Sequence, residues 1–270
     1  MNLLKELRNV DHFTKTEQRL LTYIDANPEK IIYGTIKELS RNAGVGEATI
    51  IRLCKKLNLS GFSDLKIELA KDSLTSPPSH IEKKSYLTTS ANLLKDAITK
   101  TEKLVIESDI NKAINILSNA KSIYLFGVGH SGESARDYAK TWFRVGLVAH
   151  AEVDPHFQVQ IASFLNSRDV VVALSLSGHT KDIYDSVRLA KKRGAHIIVI
   201  TNDFTSPIAK LADVTLRTAV SEFLNIGSVS GQVSQLYICE VLAKGYENYN
   251  HIDTTKLKER ALKAIMNKSM

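Results

Sequence analysis

Ser175-Leu176-Ser177-Gly178-His179-Thr180 sets three hydroxyls and a glycine within six residues. Hydroxyls donate to anionic oxygens, glycine lets the backbone approach closely, and a helix opening just beyond adds free N–H groups and a positive dipole end. The stretch follows the apolar run Val170-Val171-Val172-Ala173-Leu174, which reads as a buried strand, and precedes a helix opening at Thr180. The pattern occurs earlier as well. Ser122 to Phe126 reads as a strand, Gly127-Val128-Gly129-His130-Ser131-Gly132 as its turn, and the run to Arg144 as its helix. The chemistry that suits both turns is retention of a phosphate group.

Ser, Thr and Gly also serve as ordinary turn and N-cap residues, so one such junction says little by itself; two in one chain point to a ligand. A nucleotide fits less well. Gly127, Gly129 and Gly132 match the spacing of the dinucleotide fingerprint G-x-G-x-x-G, but that motif alone is weak, no Lys follows in the Walker manner, and the second turn offers hydroxyls instead. A sugar phosphate held by Ser131 from one turn and by Ser175, Ser177 and Thr180 from the other is the better match, with Gly129, His130 and Gly178 close enough in sequence to touch it. An isomerase would need an acid and a base around the sugar. Glu133, His130, His156, His179 and Glu222 lie in or near the relevant loops but form no distinctive pair, so no catalytic residue is assigned. No cofactor is expected either. Cys54 and Cys239 lack metal-ligand or redox spacing, and no metal site is expected.

The chain that must position these turns has 270 residues, enough for two domains, and 43% hydrophobic content, enough for two cores. No apolar run approaches membrane-spanning length and charge interrupts the N-terminus, so a cytoplasmic protein is expected. Ser73 to His80, with paired Pro77 and Pro78, marks a boundary. The expected organisation is a helical domain over 1–76, a linker over 77–88, connecting helices over 89–121, a doubly wound α/β domain with a mainly parallel sheet over 122–250, and a helical tail over 251–270. Strands are expected near 122–126, 147–151, 169–175, 196–201 and 214–219, and a last core helix near 228–246.

Before the boundary the pattern is entirely helical. Thr14-Lys15-Thr16-Glu17 and Thr35-Ile36-Lys37-Glu38 are capping boxes, Pro28 reads as a helix stop, and Gly44-Val45-Gly46 is a tight turn into a third helix from Glu47 to about Asn58. A fourth helix is expected to follow a Ser63 cap. This is helix-turn-helix spacing. At 100° per residue Ile50, Leu53, Cys54 and Leu57 share one side of the third helix, leaving Ala48, Arg52 and Lys55 opposite, flanked by Thr49 and Lys56. A small residue near the start and cations beyond suit a major groove: Ala48 permits approach, Thr49 and Arg52 reach base edges, and Lys55 and Lys56 neutralise phosphates. Bulk charge does not carry this reading. The formal charge is +7, yet residues 1–78 hold twelve Lys/Arg against ten Asp/Glu, so the arrangement on one helix has to.

From about Ser122 to Tyr246 the chain resembles the SIS (sugar isomerase) domain, whose members bind phosphosugars through a G-x-G-x-S turn and an S-x-S-G-x-T turn. That resemblance implies phosphate-binding roles for Ser131, Ser175, Ser177 and Thr180, and polar lining near Val153-Asp154-Pro155-His156, which adds His156 to the effector contacts; Glu222 is counted with them. One departure is Leu176, where glucosamine-phosphate-type members commonly carry a polar residue. Glu47 to Leu57, Ser60-Gly61-Phe62-Ser63 and both serine turns together closely resemble the RpiR family of bacterial transcription regulators over nearly the entire chain. The resemblance implies a regulator of carbohydrate genes whose operator affinity responds to a phosphosugar, acting as a homodimer or homotetramer. A sugar-phosphate isomerase with an added DNA-binding head is the competing expectation.

Overall fold

The computed structural model describes residues 13–75, 85–220 and 229–266, which fall into two compact units divided between residues 84 and 85. The first consists of α1 (Lys15–Ala26), α2 (Pro28–Tyr33), α3 (Ile36–Ala43), α4 (Glu47–Lys56) and α5 (Phe62–Thr75). Both capping boxes form: the Thr14 and Thr35 hydroxyls accept from the backbone N–H groups of Glu17 and Glu38, whose carboxylates accept in return from the Thr14 and Thr35 N–H groups, each at 2.8 Å. Gly44 ends α3 in the left-handed conformation, φ 65°. Leu20, Ile24, Leu39, Ile50, Leu53, Cys54, Leu65 and Leu69 form the core, and burial pushes the Cys54 thiol up to about 11, as befits a packing residue.

Two expectations need correction here. Pro28 does not simply stop a helix; it occupies the first position of α2, where its missing N–H has no partner to lose. The last helix of this unit opens at Phe62, not after a Ser63 cap. Ser60 instead directs both its N–H (2.9 Å) and its hydroxyl to Asp64.

The second unit contains α6 (Tyr86–Glu102), α7 (Glu107–Ser118), β1 (Ser122–Phe126), α8 (His130–Phe143), β2 (His150–Glu152), α9 (Pro155–Phe164), β3 (Asp169–Leu174), α10 (Lys181–Lys192), β4 (His196–Thr201), a short 3-10 turn (Ala209–Leu211), β5 (Val214–Arg217), α11 (Ser230–Tyr249) and α12 (Thr254–Met266). The sheet order is β2-β1-β3-β4-β5 and every pairing is parallel. Strand residues alternate between two cores, as a sheet covered on both faces requires. Leu125, Val170, Val172, Leu174 and Ile198 pack with α7, α8 and α11, while Phe126, Val171, Ala173, Ile197 and Val199 pack with α9 and α10.

Boundaries differ from expectation in instructive places. α6 opens at Tyr86, inside the stretch read as linker, because Ser85 caps it by accepting from Leu87 N–H. The second strand is His150–Glu152 rather than 147–151. Leu147 cannot join the ladder: its N–H goes to the Trp142 carbonyl at 3.0 Å, closing the end of α8 over Gly146 at φ 80°. β5 stops at Arg217, and α11 runs Ser230–Tyr249 rather than 228–246.

Candidate functional site

The order β2-β1-β3 makes the gap between β1 and β3 the switch point of the sheet, because the chain leaves these neighbouring strands in opposite directions. Phe126 pairs with Ala173, so the Gly127–Ser131 turn and the Ser175–Thr180 loop rise from adjacent strand ends at nearly the same level. The first turn is tight enough that a Cβ on Gly127 would lie 2.5 Å from the Ser131 carbonyl oxygen. Gly129 at φ 56°, ψ −136° adopts a conformation open essentially to glycine alone. In the second loop Gly178 has φ 67°, and a Cβ there would fall 2.1 Å from the Ser206 hydroxyl.

The hydroxyls of this loop converge. Ser175 Oγ and Thr180 Oγ1 are 3.4 Å apart, Ser175 Oγ accepts from Gly178 N–H at 3.2 Å, and Ser177 Oγ accepts from His179 N–H at 3.3 Å. The helix starts beside them are bare: neither Gly129 before α8 nor Thr180 before α10 supplies a side-chain cap. At α9, by contrast, Asp154 accepts from both His156 and Phe157 N–H groups. Leading N–H groups are therefore on offer at the two serine turns and already committed at α9.

His130 begins α8 and is exposed, as is His156 in the first turn of α9. Glu133 faces solvent in a 2.6 Å pair with Arg136. His179 Nε2 lies 3.3 Å from Asp203 Oδ2, tying the serine loop to the end of β4. Burial alone would raise the Asp203 pKa, but hydrogen bonds from His179 and Thr205 prevail and take it down to about 2. Glu222 lies outside the described residues. Sequence reading missed several participants. Gln235 of α11 donates to Ser131 Oγ at 3.0 Å, Gln158 of α9 donates to the Gly127 and Glu152 carbonyls at 3.1 and 2.8 Å, and Leu176 turns its side chain onto Gly231, where a Cβ would lie 2.5 Å away. Of these, the sequence marked only Leu176, and that as a departure from the polar residue some SIS members carry there.

In the helical unit, Ala48, Arg52, Lys55 and Lys56 are exposed and Thr49 is half-buried. Arg52 folds back along its own helix, Nε to the Ala48 carbonyl and Nη2 to Thr49 Oγ1, both at 3.3 Å. Lys56 differs from Lys55: its ammonium donates to Glu17 Oε2 at 2.9 Å and sits 5.7 Å from the centre of the Phe13 ring. The Lys56 hydrogen bond, with those from Thr14, keeps the nearly buried Glu17 carboxyl below its ordinary range despite desolvation. These contacts form an open groove of about 680 Å³ with Thr14, Thr16 and Glu17 on one wall and Thr49, Arg52, Lys55 and Lys56 on the other.

Residues 1–76 match the helix-turn-helix domain of the rpiR family and residues 116–245 the SIS domain. An HTH-type transcriptional regulator of Clostridium perfringens is 33% identical over 99% of this chain and 100% of its own length. The chain belongs to the rpiR family of transcriptional regulators.

Among solved structures, the Vibrio vulnificus NanR protein complexed with ManNAc-6P resembles the regulator with a TM-score of 0.80 at 27% identity, covering all of both chains. A putative sugar-phosphate isomerase from Listeria monocytogenes resembles it with a TM-score of 0.58 at 18% identity, covering 66% of the regulator and 97% of that protein, which speaks for the fold alone. Among the described residues of the regulator, no helix is long and apolar enough to cross a membrane.

Proposed function

We propose that this rpiR-family regulator binds operator DNA through the exposed face of α4 and adjusts that binding to a phosphosugar held between the two serine turns. The observation that carries the effector half is the pair of uncapped helix starts beside converging hydroxyls at the β1/β3 switch point. Ser131, Ser175, Ser177 and Thr180 hold the phosphate; Gly129 and Gly178 bring backbone N–H groups close, and His130, His156 and Glu222 lie toward the sugar. NanR, similar over its full length, is complexed with a phosphorylated sugar, which supports this ligand class. On DNA, Ala48, Thr49 and Arg52 face bases and Lys55 faces phosphate, while Lys56 divides its donors between Glu17 and phosphate. Paired heads on a cytoplasmic homodimer or homotetramer would read a repeated half-site. In this reading the sugar phosphate acts as effector and is not turned over: Glu133 faces solvent beside Arg136 rather than meeting His179, which sits beside Asp203, so the two do not form an acid–base pair across the turns.

The test is a thermal-shift screen of sugar phosphates beside their unphosphorylated counterparts. A true effector at a hundred times its dissociation constant adds about 2.7 kcal/mol of stability, and the same compound must change operator affinity, since a ligand shifts an equilibrium only through its differential affinity for the two states. Stabilisation by the unphosphorylated sugars alone would remove the phosphate site. Steady turnover of the best ligand in phosphorus NMR would replace the effector with a substrate.

A further inference from the structure

We infer that Gln235 is a positioning residue for the phosphate site, its amide fixing the direction in which the Ser131 hydroxyl donates. The inference rests on the phosphosugar reading and deepens it. A serine hydroxyl has one hydrogen to give and two lone pairs to fill. Gln235 Nε2 fills one of those lone pairs at 3.0 Å, and among the described residues the Ser131 hydroxyl gives no hydrogen bond of its own. Its hydrogen is thereby turned away from α11 and left for an acceptor at the bare start of α8.

Gln235 is held firmly in that pose. It is fully buried, its backbone carbonyl receives the Tyr138 hydroxyl at 2.6 Å, and one turn earlier Gly231 seats Leu176 of the other serine loop. α11 therefore touches both turns. The second amide atom, Gln235 Oε1, is buried with no partner among the described residues. An acceptor left so is costly, and an apolar side chain of the same length would avoid that cost. What an apolar residue cannot do is donate to Ser131. With the amide reversed, Oε1 would draw the hydroxyl hydrogen inward and present oxygen lone pairs to the phosphate, the wrong polarity for an anion.

The experiment uses the full chain and isothermal titration with two probes, inorganic phosphate and N-acetylmannosamine 6-phosphate, near pH 8 and near pH 5.5. Gln235→Met should weaken wild-type affinity about tenfold at both pH values. Gln235→Glu imposes the reversed polarity and adds a charge, so it should weaken binding roughly a hundredfold near pH 8. Relative to wild type, most of that loss should return near pH 5.5, where a buried carboxyl protonates and can donate again. In a Ser131→Ala background, Gln235→Met should cost nothing further, because the amide acts through that hydroxyl. If Gln235→Glu does not fold, the cycle built on Gln235→Met and Ser131→Ala decides alone. Wild-type affinity in both Gln235 variants, a Gln235→Glu loss that does not change with pH, or additive losses in the cycle would each remove Gln235 from this role and leave the phosphate site standing. Uptake of neither probe by the wild type would remove the phosphate site itself, and the inference with it.

Discussion

On α4 the groups proposed to meet DNA are side-chain tips on an exposed helix face, whereas those proposed to meet the phosphosugar at the serine turns are buried or half-buried hydroxyls and backbone N–H groups fixed by glycines in left-handed or strained conformations. The first kind of surface can lose one residue without disturbing the fold beneath it. The second cannot, because Ser175 and Ser177 already accept hydrogen bonds inside their own loop. Function and stability are separable on α4 and entangled at the turns.

The sharpest test of that entanglement is Gly178→Ala. With φ at 67° and the Ser206 hydroxyl 2.1 Å from the added carbon, the variant should lose about 3 kcal/mol or more of unfolding free energy. A denaturant midpoint close to wild type would mean that the loop is not held as described. Next in size, Ser175→Ala combined with Ser177→Ala should weaken phosphosugar binding at least about a hundredfold and cost about 1 kcal/mol of stability, while operator affinity without effector stays unchanged in fluorescence anisotropy.

On α4, Arg52→Ala should cost about 1–3 kcal/mol of operator binding and relax preference at one base pair, and Lys55→Ala should weaken all sequences alike and flatten the salt slope by about one. Both should melt like wild type. Lys56→Ala breaks this pattern: it leaves the Glu17 carboxylate without its cation, so about 1 kcal/mol of stability should be lost along with the phosphate contact. Equal melting of the Lys55→Ala and Lys56→Ala variants would erase the distinction between the two lysines.

The smallest effect concerns acid. The folded Asp203 pKa, near 2, lies below the unfolded value of about 3.9. Its stabilisation is therefore complete above the unfolded value and drains away as pH falls from about 4 to about 2. Because the side chain is 37% exposed, solvent screening limits the effect to about 1 kcal/mol. Urea midpoints across that window should flatten in Asp203→Asn.

What could be read from the sequence was whatever neighbouring residues determine. Thr14 with Glu17, Thr35 with Glu38, and the glycine and hydroxyl spacing of both turns are local statements, and each element they imply is present. α2 was missed because proline at a first helical position and proline as a stop look alike without the next turn of packing. The second strand was shifted because Leu147 closes the preceding helix, a backbone choice its side chain does not announce. Gln235 on Ser131 spans 104 positions and Lys56 on Glu17 spans 39. Pairings across such separations depend on the finished fold, and no periodicity encodes them.

The strand order also bears on the sequence of events at the ribosome. β1 is synthesised first yet ends up between β2 and β3, so the two serine turns become neighbours only once β3 has emerged and docked, the slow kind of non-local pairing. α11 emerges later still. A chain stalled or cleaved before residue 230 carries every hydroxyl of both turns but lacks the amide on Ser131 and the seat for Leu176. On the proposed reading such fragments would retain the α4 face without the part of α11 that orients the effector site, so quality control of the C-terminal third would guard the response to effector rather than the contact with DNA.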